Sequence, residues 1–230
     1  MSTDDEDVRR PWVFILDTCV LLDIVRSPVR REFSPESSRA LVDVSSRVRA
    51  QAQEFRIVIP SLVREEFELN LPKVQDDAVQ ELSRTLSNLS HAHQTLDILL
   101  ARTPSPLTHD AAQWIADCVS FARDLINAAQ ELPTSDEDVR RAGMRSLKGV
   151  APAKRGKSSL PDCVITEFAL RIARENLQNA GAPSVLFISS NDADYCDGRR
   201  LTASLQTEFD AAGLGFCRNW AESRGSIMRR

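Results

Sequence analysis

Apolar positions along the chain follow two distinct periods. Trp12–Leu16 (WVFIL), Arg56–Pro60 (RIVIP) and Ser184–Ser189 (SVLFIS) are short, nearly unbroken apolar runs. That is the pattern of strands buried on both faces of a sheet. Leu214–Cys217 is a shorter run of the same kind. Between these runs the spacing turns helical. Val20, Leu21, Ile24 and Val25 share one face after the first strand, residues Pro35 to Phe55 read as a second helix, and Ser61 to Asn70 as a third. Ile165, Phe168, Ala169 and Ile172 line the apolar face of a helix opened near Pro161, and residues 201–212 form another. Strands alternating with helices predict an α/β fold, a parallel sheet of about four to five strands with helices on both faces.

The middle of the chain is more regular than the rest. Leu82, Leu86, Leu89, His93, Leu96 and Leu100 step by 4, 3, 4, 3 and 4 residues, and Trp114, Cys118, Phe121, Leu125, Ala128 and Leu132 repeat the same steps. The breaker-rich run Thr103–Asp110 separates them. Two near-heptad seams with a short connection predict an inserted helical hairpin over roughly 73–132. The domain layout expected is a disordered tail at 1–10, a single domain over 11–220 with a helical insertion at about 72–148, and a C-terminal tail at 221–230.

Composition narrows the function classes. Hydrophobic residues make up 42% and charged residues 27%, no apolar run is long enough to span a bilayer, and the acidic start lacks the marks of a secretory signal, so a cytoplasmic protein is expected. The five cysteines, Cys19, Cys118, Cys163, Cys196 and Cys217, include no CxxC pair, which disfavours a zinc ribbon or a disulfide framework. The three histidines, His91, His93 and His109, carry no metal-binding spacing. A net charge of −4 argues against nucleic acid, but its distribution does not. From Val139 to Pro161 there is no acid and there are seven basic residues: Arg140, Arg141, Arg145, Lys148, Lys154, Arg155 and Lys157. A local basic footprint on an acidic body suits phosphate binding at one place.

The acids matter by position. In open parallel sheets, ligands bind beyond the carboxyl ends of the strands. Asp17 directly follows the first strand, Glu65 and Glu66 lie in the first turns after the second, and Asn191, Asp192 and Asp194 follow the third, while Asp162 opens the helix leading into it. Val63 and Phe67 mark the apolar face of the helix from Ser61, and Glu66 falls between them, whereas Glu65 joins the polar side. Capping does not explain Glu66, because Arg64 stands where a capping-box acid would. Each acid also has an ordinary reading: Asp17 as a helix cap, Asp162 as a dipole partner in a first turn, Asn191 and Asp192 as turn residues, Asp23 as a solvated or supporting group. Their joint placement is the informative feature.

At these residues a resemblance becomes specific. FILDTCVLLD (Phe14–Asp23), IPSLVREEF (Ile59–Phe67), PDCVITEF (Pro161–Phe168) and FISSNDADY (Phe187–Tyr195) resemble, in order, the four acidic motifs of PIN domains, and the alignment also selects Glu66. Cys19 and Cys163 stand where small residues are usual in that family, and Asn191 with Asp194 marks a variant of its fourth motif. The resemblance implies a metal-dependent nuclease acting with Mg²⁺ or Mn²⁺, with RNA as the usual substrate and DNA as the other candidate. Asp17, Glu66, Asp162 and Asp194 are its expected catalytic acids and metal ligands, with Asn191 as a further ligand. Lys154, Arg155, Lys157 and Ser189 are the expected nucleic-acid contacts. Oxygen ligands without His or thiolate independently select hard cations. A haloacid-dehalogenase phosphatase would need a second Asp where Cys19 stands, and no GxGxxG or Walker pattern is present. A non-catalytic PIN-like module binding RNA or protein remains the main rival. A homodimer and an antitoxin or regulatory partner stay open.

Overall fold

The computed structural model describes residues 11–30, 34–103, 110–154, 159–177 and 184–228. The tail expected at 1–10 lies outside the described residues. Four strands come first, β1 (Trp12–Leu16), β2 (Phe55–Pro60), β3 (Gln130–Leu132) and β4 (Ser184–Ile188); after a small antiparallel hairpin of β5 (Cys196–Asp197) and β6 (Arg200–Leu201) comes β7 (Leu214–Cys217). The helices are α1 (Thr18–Arg26), α2 (Pro35–Ala50), α3 (Ser61–Leu99), α4 (Ala111–Ala128), α5 (Asp136–Lys148), α6 (Leu160–Leu177), α7 (Asp192–Tyr195), α8 (Ala203–Ala212) and α9 (Trp220–Met228). No helix among the described residues is long and apolar enough to cross a membrane.

The main sheet is five-stranded, parallel throughout, in the order β3-β2-β1-β4-β7. β1 is central and buried along its whole length, because helices cover both sides: α2 and α9 pack together against β2, β4 and β7, while α3, α6 and α8 reach the strands as well. Chain direction has a consequence for function. From β1 the chain moves outward to β2 and β3, then crosses back to β4 and β7 on the other side. The order therefore reverses beside β1, the place where open α/β sheets take ligands, at the rim formed by the carboxyl ends of β1 and β4. Register sets its level: Leu16 stands opposite Ile188, and Ile188 opposite Cys217, so the residues that follow them emerge side by side.

Several sequence expectations need revision. α2 ends at Ala50, five residues short of Phe55, which instead enters β2 as a buried strand residue. α3 does not stop near Asn70. It runs for 39 residues through Pro72. A proline there removes one hydrogen bond and crowds the carbonyl of Glu68, but Glu68 is exposed, and the buried Leu71 and Val74 on either side hold the helix against the body. Leu132 belongs to β3 rather than to a helical seam. Residues 220–228, placed largely in a tail by the sequence reading, form α9, which buries Trp220 and packs on α2.

The hairpin forms, as α3 against α4. Its seams differ from the sequence pattern. Leu82 is buried, but Leu89 and Leu96 are 53% and 51% exposed. In α4 the buried face is Ala111, Ile115, Val119, Ala122, Leu125 and Ile126; Leu125 keeps its predicted seam place, but the rest lie one position round from the seam, and Trp114 is 43% exposed. α4 also packs on α1 and α2, so the domain body sets its buried stripe, not the paired helix alone.

Candidate active site

Asp17 is the first residue after β1. Its backbone N–H donates to Ile188 O at 3.0 Å, which ties the end of β1 to β4. It does cap α1, since Oδ1 accepts from the Thr18 N–H at 2.7 Å. Capping uses only that oxygen. Oδ2 accepts from Ser189 Oγ at 2.6 Å and from Cys19 Sγ at 3.2 Å. Burial raises the Asp17 pKa above the usual carboxylate range; the hydrogen bonds from Ser189, Cys19 and Thr18 oppose that shift, and the nearby Asp23 charge adds to it.

Glu66 reaches the same place from the second turn of α3. Thr18 Oγ1 donates to Glu66 Oε2 at 2.7 Å, so one threonine links the two acids through its backbone and its side chain. Burial raises the Glu66 pKa, Thr18 partly offsets it, and the Asp17 charge pushes the same way as burial. Glu66 is half-buried and Glu65 is exposed, as the apolar stripe of Val63 and Phe67 requires.

The loop after β4 supplies the rest. Ser189, Ser190 and Asn191 are consecutive, and each side chain holds a different acid. Ser189 binds Asp17; Ser190 Oγ donates to Asp23 Oδ2 at 2.5 Å; Asn191 Nδ2 donates to Asp194 Oδ2 at 2.9 Å and lies 3.5 Å from Asp162 Oδ1. Asp162 sits in the first turn of α6, where its carbonyl accepts from Thr166 Oγ1 at 2.7 Å and from the buried Tyr195 hydroxyl at 3.3 Å. Asp194 is buried in α7, with Lys154 Nζ 3.4 Å from its Oδ1.

A comparison with protein-family profiles matches residues 14–195, most of the chain, to the PIN domain. The chain belongs to the PIN-domain family. Neither the comparison with curated proteins nor that with solved structures gives a match. The span covers all four acidic motifs and the helical hairpin of this PIN domain.

Among the described residues, no group of three or more His, Cys, Asp or Glu is arranged to hold a metal ion as it stands. The donor chemistry nevertheless fits one. The acids are linked pairwise through Thr18 and Asn191, the donors are oxygens, and neither Asp17 nor Glu66 has a basic partner among the described residues. Buried carboxylates without a protein counter-charge favour a bound hard cation.

One of the expected nucleic-acid contacts has a partner inside the site. Ser189 is fully buried and its hydroxyl donates to Asp17. The basic footprint also shrinks. Arg140 and Arg141 pair with Glu137, and Arg145 is buried between Glu167 and Glu208. Lys154 is exposed beside the acids, while Arg155 and Lys157 lie outside the described residues. Sequence reasoning missed Thr18 and the Ser190–Asp23 pair. Thr18 could have been found, because the residue after Asp17 turns back toward α3. The pairing of Asp23, already read as a solvated or supporting group, could not, because Ser190 lies 167 positions away.

The cysteines near the acids are poorly ionised. Burial and the Asp17 charge hold the Cys19 thiol well above its usual range, and burial pushes Cys163 and Cys196 up to about 11. Cys163 packs with Ala142, Ala153 and Val164 as an apolar filler.

Proposed function

We propose that this PIN-domain protein is a divalent-metal-dependent nuclease that hydrolyses phosphodiester bonds, with RNA as its substrate. PIN domains are generally nucleases. The observation that carries the reading is the delivery of Asp17, Glu66, Asp162 and Asp194 by four separate elements to the sheet reversal, linked there through Thr18, Ser189 and Asn191. Asp17, Glu66 and Asp162 would hold Mg²⁺ or Mn²⁺, and Asp194 with Asn191 would hold a second ion or orient a water. Such ions, when bound, activate water and neutralise charge on the scissile phosphate.

The chain's own residues have separable tasks. Thr18 fixes Glu66 relative to Asp17. Ser189 fixes the Asp17 carboxylate from the β4 side. Asn191 keeps Asp194 aligned with Asp162. Lys154, with Arg155 and Lys157 a few positions before Asp162 in sequence, meets the substrate backbone.

The test is cleavage of mixed RNA and DNA substrates in Mn²⁺, Mg²⁺ or EDTA by wild type and Asp17→Asn. RNA cleavage lost in EDTA and in the variant is expected. Preferred cleavage of DNA would change the substrate, and equal activity in wild type and variant would overturn the site.

A further inference from the structure

Lys154 is held where it is by an unusual amount of buried machinery. α5 ends at Gly149, whose left-handed conformation (φ +62°) lets the chain turn back. Below the turn, Arg145 is buried and fully engaged. Its guanidinium donates to Glu167 Oε1 at 2.9 and 2.6 Å, to Glu208 at 3.1 and 2.5 Å, and to the Ala151 carbonyl at 2.6 Å. Glu167 is on α6, five positions beyond Asp162. Pro152 and Ala153 are buried. The backbone is thus fastened to the helix that carries Asp162, right up to the residue before Lys154.

The side chain itself touches both solvent and the acids. It is 53% exposed, yet its ammonium lies 3.4 Å from the Asp194 carboxylate, which is 1% exposed. It also donates to the Ala193 carbonyl. The other Asp194 oxygen is held by Asn191, which also approaches Asp162. A flexible stem therefore brings one positive charge from solvent to the edge of the acid cluster, beside the Asp194 oxygen opposite the one that Asn191 holds. A divalent ion taking up that oxygen would meet the ammonium a few ångströms away, and two cations at that separation repel. The ion carries twice the charge and draws on several carboxylates, whereas Lys154 draws on one carboxylate and one carbonyl. The ammonium yields.

We propose that Lys154 is a stand-in cation: it neutralises part of the carboxylate cluster in the metal-free protein and is displaced when a divalent ion binds. The inference rests on the metal-site reading above, and it makes a prediction of opposite sign to a purely structural lysine. If Lys154 competes with the ion, removing it tightens metal binding. If Lys154 merely holds Asp194 in place, removing it weakens metal binding.

The experiment titrates Mn²⁺ calorimetrically into metal-free full-length protein, as wild type, Lys154→Met and Asp17→Asn. Wild type should bind and Asp17→Asn should not, while Lys154→Met should bind roughly two- to fivefold tighter, the scale of a solvent-screened ion pair. Thermal melts on the same samples give a second readout. Lys154→Met should melt below wild type in EDTA, and saturating Mn²⁺ should close the gap. Unchanged or weaker Mn²⁺ binding in Lys154→Met, with wild-type binding intact, overturns the inference and leaves the metal site standing. A melting deficit that persists undiminished in Mn²⁺ overturns it too. Absence of Mn²⁺ binding by wild type removes the metal site and the inference together.

Discussion

The rim around Asp17 and the far half of α3 are opposites. The rim comes from irregular sequence: isolated acids, two serines, an asparagine, a threonine. Yet Asp17, Thr18, Ser189 and Asp194 are nearly inaccessible, each with a defined polar partner. The far half of α3 carries the most regular apolar pattern in the chain, and leaves Leu89, Leu96 and Leu100 about half exposed. Periodicity reports a capacity for burial, and burial itself depends on what stands opposite. At the rim four elements converge, so even polar groups lose their water. Beyond Leu82, Leu86 is only partly buried and Leu89 and Leu96 are about half exposed, so leucines there keep much of theirs.

The sharpest way to test this contrast is at the acids. Asp17→Asn should lower cleavage about 100-fold, since losing a proposed direct ligand should cost no less than losing a supporting one. Glu66→Gln should behave alike, while Glu65→Gln, on the exposed face, should retain wild-type rates. Kinetics of the three variants at saturating Mn²⁺ check this. Equal effects at Glu65 and Glu66 would break the reading of the α3 stripe.

Next in size is the buried ion cluster beside the rim. Arg145→Ala leaves Glu167 buried without its partner and should cost about 3–5 kcal/mol in chemical denaturation. It also removes the bond to the Ala151 carbonyl, so the turn that presents Lys154 should become more accessible to proteolysis.

Paired substitutions in the hairpin come third. Ile115→Ala and Leu82→Ala, both buried, should each cost about 2–5 kcal/mol. Trp114→Ala and Leu96→Ala should each cost under about 1 kcal/mol despite their seam positions. Equal costs within either pair would mean that the seam pattern, and not the tertiary packing, sets stability there.

The smallest effect is a dependence on pH. The folded-state pKa values of Asp17 and Glu66 are raised by burial above 3.8 and 4.5. The folded protein therefore binds those protons more tightly than the unfolded chain. The stability they contribute is fully present below the unfolded values and is lost as pH rises through the folded ones. In EDTA the melting temperature of wild type relative to Asp17→Asn should fall as pH rises from the ordinary carboxylate range toward neutrality. On the proposed metal site, Mn²⁺ would bind the deprotonated forms and should reverse the trend at the upper end. A flat difference across that range would show that the Asp17 charge costs the folded state nothing.

The sequence by itself determined the strand–helix alternation, the parallel sheet and the acids at its rim. Those features follow from local periodicity and from the rule that parallel strands end together. Glu66 over Glu65 was legible for the same reason, because a helix surface repeats every few residues and Phe67 marks its inner side. Only the tertiary structure decided which groups partner the acids. Ser190 meets Asp23 across 167 positions, and Arg145 is drawn out of an apparent phosphate footprint by Glu167 and Glu208. No local pattern encodes such pairings; they arise when elements distant in the chain are packed and a buried charge must find whichever partner lies within reach. α9 was missed because its apolar positions form no clear stripe, and its burial comes from α2 and the sheet. The long reach of α3 through Pro72 was likewise a tertiary outcome, since packing on both sides of the proline outweighs one lost hydrogen bond.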